Sequence, residues 1–289
     1  MKLGWIGTGI MGSRMAANLL KHGNEVVVYN RTKANANALL NLNAGWANSP
    51  QELAAQVDVL FTMLATPEAV QQAAFGENGF LDSLRPGALW ADCSTVNPSF
   101  SRQMAAAAQQ RQVRFVDAPV AGSKIPAEQG QLVFLVGGDA ADVEVYQPFF
   151  SVMGKRVIHA GGHGMGASLK MLVNLLLGEA MAAFSEALVL GKELGFEQNM
   201  LLETLLSLPV AAPFLAGKRQ KIATADFDAE FPLYLIQKDL HLAAITAYEH
   251  GVALPGVNAI KEAYALAMRR GLGNKDFSAI YQFLAEQLA

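Results

Sequence analysis

A single cysteine, Cys93, stands in 289 residues, so no internal disulfide is available and a reducing compartment is the expectation. Charge is scarce too. Charged residues make up 16%, the net charge is −3, and no basic stripe gathers anywhere, which argues against a nucleic-acid partner. No uninterrupted apolar run approaches the ~18–20 residues of a membrane span, so no membrane partner is expected. At the start, one lysine and several glycines stand where a secretory leader needs a leucine-rich centre. A cytoplasmic protein is the expectation. Histidines are few (His22, His159, His163, His241, His250), no cysteine pair accompanies them, and no metal is assigned. What the chain has in quantity is apolar residues, 52%, enough at this length for two domains with large cores.

The stretch MKLGWIGTGIMGSRMAANLLKHGNEVVVYNRT organises the rest. Lys2 to Ile6 predicts a short buried strand. Gly7, Gly9 and Gly12 fill the three glycine places of G-x-G-x-x-G, a helix runs from Met11 to Lys21, Gly23 ends it, and Glu25 to Tyr29 is a valine-rich second strand. Strand, glycine turn, helix and strand in that order make a dinucleotide-binding βαβ unit. The first glycine permits the tight turn, the second lets backbone approach a pyrophosphate, and the third lets helix and strand pack closely. Free N–H groups at the helix start attract the anion, so Gly7, Thr8, Gly9, Ile10, Met11 and Gly12 are cofactor-binding candidates.

The same stretch also lacks an acid where one would matter. A free ribose hydroxyl usually meets Asp or Glu about 20 residues past the glycines, and here stand Asn30, Arg31 and Thr32. A carboxylate would repel a 2′-phosphate. Arg31 can fork onto one, and Asn30 and Thr32 can donate hydrogen bonds. The expected cofactor is NADP, as NADPH.

The α/β alternation continues with a helix from Lys33 to Leu42 and another opening at Ser49-Pro50. Predicted strands follow at Val57–Leu64, Gly87–Asp92, Val113–Asp117, Leu132–Val136 and Arg156–His159, with a helix from Asn97-Pro98 to Gln110. Loops after the middle strands lie at the carboxyl edge of the sheet, where open α/β sheets bind ligands. Beyond Gly161 only helical periods remain, which divides the chain into an α/β dinucleotide-binding domain over 1–162 and an all-helical domain over 163–289. A helix from Ala167 to Leu194 joins them; its roughly 28 residues would span about 42 Å. It is apolar on nearly all sides, so burial at a domain or subunit contact is expected.

Lys170 and Asn174 interrupt that helix, four residues apart and therefore on one face. Desolvation and the helix dipole would both lower the pKa of such a lysine. A lysine that snorkels to water beside an asparagine fits the same spacing, and the residues alone leave both readings open.

Four separated motifs resemble the β-hydroxyacid dehydrogenase family, which includes 3-hydroxyisobutyrate dehydrogenase and tartronate semialdehyde reductase. They are Gly7-Thr-Gly9-Ile-Met-Gly12-Ser-Arg-Met-Ala-Ala-Asn18-Leu, Asp117-Ala-Pro-Val-Ala-Gly122-Ser123-Lys-Ile-Pro-Ala-Glu-Gln-Gly130, Gly166-x-x-x-Lys170-x-x-x-Asn174, and Lys238-Asp239-Leu240. Ser123-Lys124 before Pro126-Ala127-Glu128, Phe231-Pro232-Leu233, and Asp276-Phe277-Ser278-Ala279 resemble its NADPH-dependent glyoxylate and succinic semialdehyde reductase branch. One departure stands out: Ala121 occupies the place of the family's serine before Gly122. That puts substrate affinity and choice in doubt more than the reaction type.

The resemblance implies a Rossmann domain, a long connecting helix, a helical domain that helps to form a homodimer or homotetramer, and hydride transfer to an aldehyde-bearing acid. It implies Lys170 as general acid with Asn174 keeping it aligned, and Met63, Leu64, Thr95 and Lys238 against the cofactor. Gly122, Ser123 and Lys124 would meet the substrate carboxylate, and Phe231 and Asp239 would line its far side. Thr95 also suits a helix cap, Phe231 core packing and Asp239 an internal ion pair. Imine reductases share the architecture but lack the lysine, and non-catalytic relatives lose it or carry extra domains.

Overall fold

Short strands, the central ones nearly unbroken runs of Val, Leu, Ile and aromatic residues, form a mainly parallel sheet whose centre is covered on both faces. They are β1 (Leu3–Ile6), β2 (Val26–Tyr29), β3 (Gly45–Trp46), β4 (Val59–Thr62), β5 (Leu89–Asp92), β6 (Arg114–Asp117), β7 (Val120–Ala121), β8 (Leu132–Gly137) and β9 (Gly154–Gly161). The computed structural model describes residues 1–286. Its contacts divide the chain into two compact units, Met1–Lys170 and the residues from Met171 on. The division falls inside one continuous helix, Met165–Glu193.

In the first unit β3, β2, β1, β4, β5 and β6 lie side by side in that order, all parallel. This is the strand order of a dinucleotide-binding Rossmann sheet, which reverses direction between β1 and β4. β8 pairs antiparallel with β6 and, further along the same edge and in the same register, with β7, and parallel β9 lies on its other side. Alternation along each strand builds two cores. One face buries Trp5, Phe61, Tyr146 and Phe150, and the other buries Leu60, Phe80, Trp90 and Phe115.

The expected strands all form, within a few residues of their predicted limits. Two-residue β3 and β7 are too short to leave a periodic signal. The predicted helix Lys33–Leu42 is a 3₁₀ turn, Lys33–Ala36, followed by a single α-turn, Asn37–Leu40. A helix at Ala140–Met153, disguised in the sequence by Pro148, packs beneath the sheet through Tyr146, Phe149 and Phe150.

The second unit is all helical, and among the described residues beyond Gly161 the only extended pairing is an isolated bridge from Pro232 to Asp276. Its core gathers Met181, Phe184 and Leu188 with Ile236, Leu240, Tyr264 and Phe277. Within the single chain, burial of the long helix is one-sided. Met181 and Leu188 are enclosed, whereas Leu172 and Leu176 are 58% and 67% exposed within the chain. By length and mean hydropathy (1.5) this helix is apolar enough to cross a membrane, although Lys170, Asn174 and Glu179 interrupt it.

Candidate functional site

The glycine loop sits where β1 meets the helix Ile10–Lys21, and each glycine answers a different steric demand. Gly7 has φ +98°, and a Cβ there would lie 2.2 Å from the Met63 carbonyl oxygen. A Cβ on Gly12 would lie 2.0 Å from the Gly7 carbonyl oxygen. Gly9, the helix N-cap, has open space: a Cβ there meets nothing within 4 Å. The Trp5 ring N–H donates to the Gly7 carbonyl at 2.9 Å, and the buried Thr8 hydroxyl has no partner. A closely packed turn with an open crest, an unpaired hydroxyl and helix N–H groups behind it fits the pyrophosphate of a dinucleotide.

Asn30 proves to be part of that loop. Its Oδ1 accepts the Thr8 N–H at 3.1 Å and its Nδ2 donates to the Thr32 carbonyl at 3.0 Å. The carboxamide therefore ties the end of β2 to the glycine turn, and Arg31 and Thr32 are left exposed beside it. Lys33 rests its ammonium over the Trp46 ring, 5.1 Å from its centroid.

Across the reversal of strand order, the loops after β4 and β5 are pinned together. The Leu64 N–H donates to the Ser94 hydroxyl at 2.9 Å, and the Met63 N–H to the Ile6 carbonyl at 2.9 Å. Beneath them Asp92, 1% exposed, accepts from the Thr62 hydroxyl at 2.8 Å and the Ser94 N–H at 3.1 Å. Its other oxygen has no partner. Burial pushes this carboxyl up from 3.8 to about 6, against the opposing pull of the Ser94 and Thr62 hydrogen bonds. Thr95 is half-buried, and the N-cap position of the following helix is taken by Asn97.

The turn after β7 carries Gly122, Ser123 and Lys124. Gly122 has φ +124°, and a Cβ there would press on Leu132 at 2.8 Å. The helical turn Lys124–Glu128 that follows is tied to the glycine-loop helix, since the buried Asn18 amide donates to the Ala127 carbonyl at 2.8 Å. The first two motifs of the sequence are thus bonded to each other. Ala121 pairs with Val133 and is half-buried.

Asp117, at the carboxyl end of β6, was quoted in a motif but given no role by the sequence. It is 1% exposed, and its oxygens accept the N–H groups of Gly164 at 2.7 Å and Ala167 at 2.8 Å. Burial raises this carboxyl while those two donors lower it. The start of the long helix is thereby bolted to the edge of the sheet that carries the glycine loop. Lys170, 8% exposed, follows on that helix's second turn. His163 bonds the Phe115 carbonyl at 3.0 Å, as a structural residue of the same joint.

In the helical unit Asn174 and Asp239 are 1% and 2% exposed. The Asn174 amide donates to Asp239 Oδ2 at 2.5 Å, leaving its own Oδ1 as a buried acceptor without a partner. Lys238 Nζ lies 2.8 Å from Asp239 Oδ1, close enough for an ion pair but not aligned for a hydrogen bond. Asp239 is thus an ion-pair partner and an anchor for Asn174 together. Phe231 is half-buried against Phe277.

Comparison with known proteins was made against this geometry. Residues 2–162 match the family described as the NAD binding domain of 6-phosphogluconate dehydrogenase, and residues 164–284 match the NAD-binding domain of NADP-dependent 3-hydroxyisobutyrate dehydrogenase. Glyoxylate/succinic semialdehyde reductase 1 of Arabidopsis thaliana is 38% identical over 282 residues, covering 98% of each chain. The chloroplastic glyoxylate/succinic semialdehyde reductase 2 of the same plant is 38% identical over 284 residues, covering 98% of this chain and 79% of the plant protein. Among solved structures, the Mycobacterium tuberculosis 3-hydroxyisobutyrate dehydrogenase with L-serine superposes with a TM-score of 0.87 at 28% identity, covering 98% of both chains.

Proposed function

This chain belongs to the β-hydroxyacid dehydrogenase family of NAD(P)-dependent oxidoreductases, and we propose that within it the enzyme reduces small aldehyde-bearing carboxylic acids, glyoxylate and succinic semialdehyde, with NADPH. The observation that carries the reading is the buried Lys170 on a helix whose first turn is fixed by Asp117 to the sheet edge bearing the glycine loop. A buried lysine on a helix held to the sheet edge that bears the glycine loop suits the proton donor that such a reaction needs.

The loop from Gly7 to Gly12 holds the pyrophosphate, and Arg31 and Thr32 take the 2′-phosphate, with Asn30 framing their turn. Met63, Leu64, Thr95 and Lys238 are assigned to the ribose and nicotinamide. The cofactor, when bound, supplies a hydride. The backbone N–H groups at Gly122 and Ser123, the Ser123 hydroxyl and Lys124 bind the substrate carboxylate, and Phe231 and Asp239 limit the far side. Lys170 donates a hydrogen bond to the carbonyl oxygen and then its proton, so the aldehyde carbon gains the hydride and the oxygen the proton. The neutral amine is reprotonated from solvent. Asn174, anchored through Asp239, presents its unpaired oxygen one helical turn beyond the lysine. We assign the enzyme to the cytoplasm, as a homodimer or homotetramer that covers Leu172 and Leu176.

The test is the loss of NADPH absorbance with glyoxylate or succinic semialdehyde, run beside NADH and beside Lys170→Ala. Turnover with NADPH and loss in the variant support the proposal. Preference for NADH overturns the Arg31 assignment. Binding of NADPH without reduction of either aldehyde overturns the substrate assignment. A second reading, 3-hydroxyisobutyrate oxidation or tartronate semialdehyde reduction, is favoured by the family description that residues 164–284 match. Preferential turnover of those substrates would select it.

A further inference from the structure

The segment Asp276-Phe277-Ser278-Ala279 takes no part in the mechanism above, yet Asp276 is 0% exposed and fully engaged. Its Oδ1 accepts from the Ser278 hydroxyl at 2.7 Å and the Ser278 N–H at 3.2 Å. Its Oδ2 accepts the N–H groups of Glu230 at 3.1 Å and Phe231 at 3.2 Å. The Lys218 ammonium, itself enclosed, lies 3.1 Å from the same carboxylate and 3.1 Å from Glu230. It also stands 5.1 Å from the centroid of the Phe277 ring. Backbone bonds close the join: Asp276 N–H to the Phe227 carbonyl at 2.8 Å, and Phe277 N–H to the Phe231 carbonyl at 2.9 Å. The rings of Phe231 and Phe277 meet edge-on at 5.6 Å.

Removing a lysine and a carboxylate from water is costly, and a well-packed apolar pair often serves stability as well or better. What an apolar pair cannot do is accept the N–H groups of a loop. The stretch 225–232 runs between the helices Arg219–Thr224 and Leu233–Glu249 with no strand partner beyond the one bridge. Its backbone donors at Glu230 and Phe231 would otherwise have nothing to bind. Asp276 therefore decides where Phe231 stands, and Lys218 balances the charge that makes this possible.

We propose that Lys218 and Asp276 are positioning residues that set substrate chain length by holding Phe231 in place; the inference rests on the assignment of Phe231 to the substrate. The test is steady-state kinetics of the full-length enzyme with glyoxylate and succinic semialdehyde, for Phe231→Ala, Lys218→Met and the double variant Lys218→Met/Asp276→Asn. The double variant removes both charges, so that no uncompensated carboxylate is left in the core. Both clamp variants should raise KM for succinic semialdehyde about tenfold, with a smaller change for glyoxylate and kcat within about twofold, the pattern of lost uniform binding. NADPH titrations should not change. If Phe231→Ala shifts the ratio of the two KM values and both clamp variants keep the wild-type ratio, the clamp is overturned and the Phe231 assignment stands. If Phe231→Ala moves neither KM, that assignment falls and the clamp with it. A uniform fall in kcat for both substrates, tracking a lower melting temperature, would also overturn the proposal.

Discussion

A methyl group added at Gly9 separates the two duties of the glycine loop. Gly9 has φ −74° and ψ −161°, a conformation any residue adopts, and its added Cβ would meet no protein atom within 4 Å. Gly→Ala at a compatible position stabilises by about 0.4–1 kcal/mol, through the unfolded chain. Gly9→Ala should therefore unfold in urea no earlier than wild type. The same methyl group occupies the space through which a pyrophosphate approaches the backbone. Losing one charge-assisted hydrogen bond to it, worth about 1.5–3 kcal/mol, weakens NADPH binding roughly 10- to 100-fold. Gly12→Ala is the contrast. Its Cβ would stand 2.0 Å from the Gly7 carbonyl oxygen and 2.9 Å from Trp5 Nε1, the two ends of one hydrogen bond. Overpacking costs about 1–3 kcal/mol where side chains can yield; here the obstacle is backbone, so the loss falls at the upper end or beyond and cofactor binding fails with it. Urea melts and NADPH fluorescence titrations on both variants decide the matter. Wild-type affinity in Gly9→Ala would refute the reasoning, because the glycines would then serve conformation alone. A loss of about 2 kcal/mol or more in that variant, against the expected small gain, would show that the crest of the loop is not open.

Lys170→Ala should lower kcat/KM about 10²- to 10⁴-fold, the usual contribution of a general acid, with the NADPH dissociation constant unchanged; intact turnover would remove the lysine from the mechanism. Arg31→Ala should weaken NADPH roughly 10- to 100-fold and leave NADH alone, since a charge-assisted hydrogen bond to the 2′-phosphate is lost. Equal losses for both cofactors would refute that. Asp92, with its carboxyl raised from 3.8 to about 6, makes the folded protein lose stability as pH rises through that window, because the unfolded chain ionises first. Below the window both states are neutral, and above it the cost levels off near 3 kcal/mol, to order of magnitude. Asp92→Asn keeps an acceptor for Thr62 and Ser94 and should remove that slope, becoming more stable than wild type at about pH 8. Urea midpoints across the window that shift equally in both proteins would refute it.

The α/β half was legible because its signals are local. A short apolar run bounded by turn residues points to a strand from its own residues, and three glycines between strand and helix mark the first βαβ unit. β3 and β7 carried no such signal: two residues of pairing are set by their neighbours, Val28 against Trp46 and Phe134 against Val120. Asn30 has a duty within the fold that its sequence position did not show. Its chemistry suited a phosphate, but a carboxamide has both a donor and an acceptor, and the structure uses both within the turn. The exposed side of the long helix was hidden for another reason. Apolar residues on all sides do not say which of them this chain covers and which it leaves at the surface.

Asp117 shows where a sequence motif stops being readable. An acid before Ala-Pro-Val gives no hint that its partners lie about fifty residues on, in a run of glycines. Yet the close approach needs glycines on both sides, Gly137 at the end of β8 and Gly166 in the helix. A Cβ on Gly137 would fall 2.7 Å from Asp117 Oδ1, and one on Gly166 would fall 2.4 Å from the Leu135 carbonyl and 2.7 Å from that of Asp117. The helix start can approach the sheet this closely only because both sides lack side chains at the contact, and the carboxylate then accepts two helix N–H groups that have no other partner. A helix held at its first turn swings least there, and Lys170 stands only one turn further on. The fold thus sets the proposed proton donor through backbone geometry, and few of the residues that do so are among those proposed to react.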